Sequence, residues 1–368
     1  MKRFIILTIL FVFITSVFAF AEEGIAIFTY NSALETAVEN SNQPALDDFN
    51  IKAMESALQD AKDEAILGYY GGTPQQVAER KIVKEVVPFE AEINLEIAKK
   101  QKDDNIHQMK SDVYQEMMRV LLSGESIQNK QQRIALLEEK YEIDAIRYKE
   151  GLISEADITD EGLALSVERL ELKNVDTAFA SDILNIKQRL HVDLSDEHKI
   201  QFDYRLNKIG THYVLDSFNL DKAIAKALEN NTLVYQKQKA LEAAEMKLEI
   251  TKQHLKPGHD FYDQKVYEFE KAKKELYDAQ TNLEVSIRNA HNDLLTAFDA
   301  VELAYKREDL EKSKLDTLII KFDAGVISRR DIIDTELSVL SQRQAILDVV
   351  CDFNIKNDIL KNLIEVEY

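Results

Sequence analysis

The sequence predicts an all-α chain of long coiled-coil hairpins in two tandem repeats, with at most very short strands. Glycine, proline and tryptophan are scarce, at 10, 4 and 0 of 368 residues, whereas all-β folds need many turns. Apolar residues recur three and four apart along charged stretches, which is the pattern of coiled-coil helices. A distinctive turn also occurs twice, and an internal repeat of this kind indicates a duplicated architecture.

The repeated turn covers residues 148–160 and 322–334. Each copy has a glycine, two apolar residues, a serine and two aspartates in the same order. Glycine accepts the left-handed conformation that ends a helix. A serine with an aspartate three residues later forms a capping box at the start of the next helix. Each copy therefore predicts the tip of an αα-hairpin.

Long helices are predicted to run into and out of both turns. We expect the two longest over residues 91–150 and 261–324, with return helices over 154–190 and 328–364. Each of the longest would reach roughly 90 Å at 1.5 Å per residue. The one helix breaker in the first is Gly124, so Ser123-Gly124 is a candidate kink. The predicted apolar seams comprise Val113, Met117 and Val120 in the first half, and Leu294, Phe298, Val301, Tyr305, Leu315, Leu318 and Phe322 in the second.

Both halves open in the same way. The pattern Ala-x-x-x-Ala-x-x-Asn at 33–40 recurs at 223–230, and a charged helix follows each copy. We expect these second helices to end near Gly68 and Gly258. The first half is the longer, and we place its extra residues at 69–88, where glycine and proline interrupt the helical pattern.

Short local signals complete the prediction of secondary structure. Residues 25–28 are apolar and 200–204 alternate apolar with polar, so each predicts one short strand. We expect Asn31 or Ser32 to cap the first helix, and Pro88 to break the helical pattern.

The first 21 residues have the features of a signal peptide. Two basic residues precede the apolar run 4–18, and residues 19–21 fit a small-x-small cleavage site, so we expect export and a mature chain that begins at Glu22. No later stretch approaches the roughly 20 apolar residues of a spanning helix. The net charge of −20 argues against nucleic acid as a partner. The single cysteine, Cys351, excludes an intrachain disulfide and is interpreted as a small buried apolar residue.

In the order of these features the chain resembles the TolC family of outer-membrane efflux and secretion ducts. The resemblance rests on the duplicated opening, the duplicated turn and the paired long helices, and it covers nearly all of the mature chain. It implies a homotrimer whose helices form a hollow α-barrel in the cell envelope, working with an adaptor (membrane-fusion) protein and an inner-membrane ABC or RND transporter. The implied organisation is a signal peptide (1–21), a first repeat (22–190), a linker (191–217) and a second repeat (218–368).

The resemblance also assigns roles to turn residues. In the family the tips dock on the adaptor, and the matching residues here are Gly151, Leu152, Ile153, Ser154, Gly325, Val326, Ile327 and Ser328. The family's entrance constriction is lined by aspartates that match Asp331 and Asp334, and an acid that holds the closed state matches Asp157. The chain departs from the family at Phe322, where the family has tyrosine, and at Ile327, where it has arginine.

A larger departure concerns the β-strands of the family. The family inserts a two-stranded hairpin after the opening helices of each half, and three protomers complete a membrane β-barrel. A membrane strand needs about 9–11 alternating residues. Residues 258–261 leave no room for two such strands, and 75–81 do not form a lipid-facing strand. We therefore expect a relative with no β-barrel insert.

The turn residues leave two interpretations open. Asp157 and Asp331 fit capping boxes, and Asp160 and Asp334 lie where an acid interacts favourably with a helix dipole. Alternatively, three copies of Asp331 and Asp334 place six carboxylates in a narrow mouth, where repulsion raises their pKa values and favours cation binding. The apolar pairs likewise either pack under their own turns or lie exposed for a partner.

Two other functions compete with a duct. One is a soluble extracytoplasmic coiled-coil interaction protein that keeps the tips and forms no channel. The other is an exported enzyme, but the sequence has no Gly-x-Ser-x-Gly, phosphate loop or Cys-x-x-Cys, and its seven histidines form no zinc-like pair. We therefore expect neither catalytic residues nor a cofactor.

Overall fold

The computed structural model describes residues 25–66, 71–194, 199–202 and 218–364. The predicted signal peptide and most of the predicted linker lie outside these residues, and the repeat boundaries stay a prediction. The elements in chain order are β1 (Ile25–Phe28), α1 (Tyr30–Asn40), α2 (Gln43–Ile66), α3 (Pro74–Glu85), α4 (Val87–Lys149), α5 (Glu155–Arg189), β2 (Lys199–Phe202), α6 (Leu220–Asn230), α7 (Thr232–His254), α8 (Asp260–Asp323) and α9 (Arg329–Ile364).

Two very long helices dominate the fold, as the sequence predicts. Helices α4 and α8 have 63 and 64 residues, which corresponds to about 95 Å each. Helix α4 runs unbroken through Ser123 and Gly124, so the candidate kink is not a break. Gly124 instead lies against α5, where an added Cβ would meet the Phe179 ring at 3.6 Å. Of the helices described, none is long and apolar enough to cross a membrane.

The long helices pack side by side in a row. Near the turns the order is α5–α4–α9–α8, since α4 contacts both α5 and α9, and α8 packs on α9. Towards the other end the order is α2–α4–α7–α8, where Lys102 of α4 pairs with Asp48 of α2 at 2.5 Å and Lys237 of α7 pairs with Glu275 of α8 at 2.8 Å. The row therefore has two edges, one formed by α8 and the other by α2 and α5.

Two apolar cores lie at the waist of the row and confirm most of the predicted seams. Val113 and Met117 are buried against α1, α5 and the strands, and Leu294 and Val301 are buried against α6 and α9. Cys351 is also buried, as predicted, and burial raises the pKa of its thiol to about 11. Closer to the turn the α8 seam is less covered, because Leu315 and Leu318 are half-buried and Phe322 is exposed within the single chain.

The two predicted strands form and pair with each other in parallel. Ile25 lies opposite Lys199 and Phe28 opposite Phe202, whose ring centroid is 6.3 Å from that of Phe28. The prediction of the first helix cap was wrong by two or more residues. Thr29 is the cap, and Ser32 completes its capping box from the third helical position, where its hydroxyl accepts from the Thr29 amide at 2.9 Å.

The extra residues of the first half form helix α3. Thr73 caps it and Pro74 begins it, a position where the missing N–H costs nothing. Ala78 and Ile82 pack on Ala243 and Ile250 of α7. The predicted break at Pro88 is confirmed to within a few residues, because α3 ends at Glu85 and α4 begins at Val87 with Pro88 in its first turn.

The connections between the helices agree with the predicted lack of a strand insert. The link from α7 to α8 is residues 255–259, and His259 caps α8 by accepting the Phe261 amide on Nδ1 at 3.2 Å. Between α2 and α4, the described residues form only α3 and short turns.

Candidate functional site: the paired hairpin tips

The two predicted turns have the same backbone structure. Gly151 and Gly325 have φ of 74° and 71°, the left-handed region in which glycine has no Cβ penalty. Gly151 N–H donates to Tyr148 O and Leu152 N–H to Arg147 O, both at 2.9 Å. The second turn repeats both bonds, from Gly325 to Phe322 O and from Val326 to Lys321 O. This is the Schellman arrangement, which satisfies the last carbonyls of α4 and α8.

Serine and aspartate cap the outgoing helices at both tips. The Asp157 carboxylate accepts from the Ser154 amide and hydroxyl at 2.8 Å, and Ser154 Oγ accepts the Asp157 amide at 3.2 Å. Asp331 accepts from the Ser328 amide at 2.9 Å and hydroxyl at 2.8 Å. These bonds lower the pKa of Asp157 and of Asp331. Within the single chain the pKa of Asp331 is therefore lowered. The opposite shift, a raised pKa, was predicted for six carboxylates that repel one another in a narrow entrance.

In each turn, one residue of the apolar pair is exposed and the other is half-buried. One residue therefore fits exposure for a partner, and the other fits packing under its own turn. Leu152 and Val326 are 64% and 71% exposed, whereas Ile153 and Ile327 are half-buried under their turns. Phe322 is also 40% exposed. Each turn thus exposes the first residue of its apolar pair and partly covers the second.

Two arginines at the start of α9 hold the two tips together. Arg330 Nε donates to both carboxylate oxygens of Asp144, at 2.7 and 2.9 Å, and Asp144 is fully buried. Arg329 makes a bidentate pair with Glu139, at 2.7 and 2.9 Å, and also donates to Glu336. We use the name tip clamp for the ion pairs of Arg329 and Arg330 together with the ion pair between Lys140 and Asp334, which is described in the next paragraph.

Asp334 takes part in the clamp rather than standing free. Lys140 lies 2.7 Å from Asp334 and 3.0 Å from Glu161, so it joins α4, α5 and α9. Glu161 also lies 3.3 Å from Arg330. The two predicted entrance aspartates are therefore occupied within the chain, Asp331 as a cap and Asp334 as an ion-pair partner.

Sequence reasoning missed the tip clamp, although a signal was present. Cations in the first turn of a helix face the positive end of its dipole and need acidic partners. Arg329 and Arg330 occupy that turn of α9 directly after Ser328. Their partners Glu139 and Asp144 lie 190 and 186 residues away, so the sequence pattern gave no means to choose them.

The contact between α4 and α9 is polar along much of its length, and we call it the α4–α9 seam. At the waist, Ser111 and Gln115 donate to Asp358 at 2.5 and 3.2 Å. Nearer the tips, Asn129 donates to Leu340 O at 3.0 Å and Arg133 to Ser341 Oγ at 2.6 Å. The contact of α8 with α9, inside one hairpin, is instead an apolar core. The seam between the two hairpins is therefore more polar than the contact inside the α8–α9 hairpin.

Comparison with known proteins identifies the fold and not a close relative. No family model and no curated protein matches the chain. A membrane protein from Pseudomonas aeruginosa has a TM-score of 0.71 at 10% identity, over 91% of this chain and 90% of that one. VceC, an outer membrane protein of Vibrio cholerae, has 0.68 at 10% identity over 91% and 95%, and the CmeC outer membrane channel of Campylobacter jejuni has 0.66 at 10% over 91% and 85%. The chain therefore has the fold of the TolC-type outer-membrane channels.

Proposed function

We propose that this chain is a duct component of the cell envelope that assembles as a homotrimer and docks through its hairpin tips on the adaptor of a tripartite efflux or type I secretion system. The observation that carries the proposal is the pair of matching tips, which a buried ion pair holds side by side at one end of a long helical row. The shared fold with CmeC and VceC supports the duct role.

The surface of the chain supports assembly with further copies. The chain has an accessible surface of 23540 Å². A compact monomer of 42.2 kDa has roughly 15,000 Å² by the usual scaling with mass. Part of this excess lies on the two edges of the helical row, and a ring of copies would cover those edges.

The exposed residues of the tips support docking. Leu152 and Val326 lie on the two turns, and each is exposed within the described part of the chain. Apolar side chains in such positions favour a protein partner with a complementary apolar tip.

The α4–α9 seam supports a mechanism of opening. Breaking the tip clamp and the polar contacts near the tips frees the tip ends of the two hairpins from each other, while the apolar cores at the waist, one of which includes Cys351 of α9, hold the hairpins together there. Opening is then a switch between two packings of rigid hairpins. The energy for transport comes from the transporter partner, since the chain itself needs to supply only the duct and its entrance.

The docking role is tested by changing the exposed tip residues. The binding partner in this test is the adaptor protein that is encoded beside the transporter in the source organism. We expect the double change Leu152→Asp and Val326→Asp to abolish capture of the chain by this adaptor. Circular dichroism should show unchanged helicity. The matched control is Leu233→Asp, since Leu233 is also a half-exposed leucine but lies at the start of α7. Capture that survives the tip changes would remove the docking role.

A further inference from the structure

The apolar core of the α8–α9 hairpin ends well before the hairpin tip. Ala304 is the last buried residue of α8 before the second turn, and Ile346 is the α9 member of the same core that lies nearest that turn. Both lie about 32 Å from Gly325 at 1.5 Å per residue. Beyond them, no residue of the described α8 from Tyr305 to Asp323 is buried within the single chain. Few buried apolar contacts therefore hold the last third of this hairpin, which is typical of regions that open locally.

Polar groups line the contact between α4 and α9 over the same stretch, which we call the tip arm. It extends from the two turns to Asn129 of α4 and Gln344 of α9. Besides the tip clamp, Arg133 donates to Leu337 O at 3.0 Å and to Ser341 Oγ at 2.6 Å. These bonds join the two hairpins, and water can replace each of them when the hairpins separate.

A layer of neutral side chains closes the inner end of the tip arm, and we call it the amide layer. Gln344 Nε2 donates to Ser126 Oγ at 2.8 Å, and Asn129 Nδ2 donates to Gln344 Oε1 at 3.1 Å. Asn129 is 3% exposed, and within the described chain its buried Oδ1 has no hydrogen-bond partner. A buried acceptor without a donor is costly, and water removes that cost once the layer is opened. The amide layer can therefore open with little penalty.

The α4–α9 seam becomes apolar on the waist side of the amide layer. Cys351 of α9 is 3% exposed, and its Sγ lies 3.6 Å from Met118 O of α4. Both residues belong to one buried core together with Val120. Separating the helices here would expose apolar surface to water, which is unfavourable. A separation that starts at the tips thus meets its first large apolar contact just beyond the amide layer.

Helix α4 also has its weakest helical sequence at this height. Ser123 Oγ donates to Arg119 O at 2.9 Å, and a serine that bonds back to its own helix tends to bend it. Gly124 follows directly, and glycine is the least favourable residue for a helix interior after proline. The side of Gly124 that faces α5 has space, because an added Cβ would meet only the Phe179 ring at 3.6 Å. This stretch of α4 is therefore suited to bending.

We propose that the amide layer is a hinge: the two hairpins separate along the tip arm as far as Asn129 and Gln344, α4 bends at Ser123-Gly124, and the seam around Cys351 stays closed. The inference rests on the opening described under the proposed function and fixes how far it extends. A few positions that absorb a bend between two rigid parts are typical of hinge motions.

Thiol labelling of the purified chain tests the hinge without any partner. Cys351, the single cysteine, reports on the waist side. L137C in a Cys351→Ala background reports on the tip arm, since Leu137 is buried and lies four residues after Arg133 and three before Lys140, on the same face of α4. Arg330→Gln breaks the tip clamp, and it should raise the labelling rate at position 137 by roughly tenfold or more and that of Cys351 by less than about twofold. An equal rise at Cys351, or no rise at position 137, would overturn the hinge.

Two further variants sharpen the test. S126C in the same background is a conservative exchange within the amide layer; it should respond to Arg330→Gln as L137C does, and it serves if L137C fails to fold. Gly124→Ala should reduce both rises several-fold, because alanine stiffens the helix. Rises unaltered by Gly124→Ala would overturn the bend in α4. Labelling needs no adaptor, so its failure would leave the docking role standing, and a failure of adaptor capture would leave the hinge standing.

Discussion

Arg330 and Asp144 form the centre of the contact between the two hairpin tips. Arg330 Nε reaches both oxygens of the fully buried Asp144 carboxylate, and Arg147 adds a hydrogen bond at 2.9 Å. A buried charge is tolerated only with such partners. The pair therefore ties the start of α9 to the end of α4 and sets the relative position of the hairpins.

Replacing Arg330 with glutamine should destabilise the tips. Breaking a buried ion pair leaves its partner uncompensated, and we expect a loss of about 3 kcal/mol, the lower end of the usual range because Arg147 remains. Urea denaturation measures the free energy of unfolding, and hydrogen exchange should locate the loss at the end of α4 and the start of α9.

The control for this change is Arg169→Gln. Arg169 pairs with Glu138 at a similar distance of 2.7 Å, but the side chains are 58% and 46% exposed. An exposed pair contributes little, so stability should hardly change. Equal losses in the two variants would mean that burial of Asp144 is not what gives the tip clamp its strength.

Acid should act in opposite directions at the two ends of the α4–α9 seam. Burial acts to raise the pKa of Asp144, but hydrogen bonds from Arg330 and Arg147 outweigh it, so the pKa lies below its ordinary 3.8. The stability from Asp144 is complete above pH 3.8 and is lost as the pH falls through the lower folded value. Burial raises the pKa of Asp358, and the hydrogen bonds from Ser111 and Gln115 offset this only in part. The stability that Asp358 contributes is therefore present at low pH and is lost as the pH rises through its raised folded pKa.

Hydrogen exchange across an acid titration, corrected for intrinsic rates, measures both responses. Amides at the tips should lose protection in strong acid, while those around Asp358 should gain it as the pH falls. Asp358→Asn should flatten the response at the waist and leave that of the tips. Protection that falls with pH at both ends would contradict this account of the seam.

Three glycines should respond differently to alanine. Gly151→Ala and Gly325→Ala should each cost roughly 1–2 kcal/mol, because both positions are left-handed. Gly124→Ala should instead stabilise α4 by about 1 kcal/mol, since Gly124 is inside a helix and the new Cβ meets only Phe179 at an ordinary distance. Thermal denaturation of the three variants measures the contrast, and destabilisation by the change at Gly124 would indicate tighter packing against α5 than the geometry allows.

The parts of the fold that depend on local chemistry were predictable from sequence. The Gly, Ser and Asp of each turn determine where α4 and α8 end and where α5 and α9 begin, and the structure places these ends within a few residues. Helix α3 was missed although its signals were also local. Thr73 and Pro74 were interpreted as breakers of a helix, whereas they cap and begin a new one.

The parts that depend on distant contacts were not predictable in the same way. Apolar periodicity predicted that α4 and α8 bury a seam, but it did not show that α9 lies between them or that β1 pairs with β2. The choice of Asp144 for Arg330 depends on the register of two helices that meet only in the folded chain. The roles of Asp331 and Asp334 at an entrance stay a prediction, because a mouth exists only between copies.

A duct requires that this chain close a ring with further copies of itself. The most direct measurement is the molar mass of the chain from Glu22 to Tyr368 by light scattering on a sizing column, with and without detergent. We expect a trimer. A monomer under both conditions would contradict it, and the exposed tips would then belong to a helical interaction protein rather than to a channel.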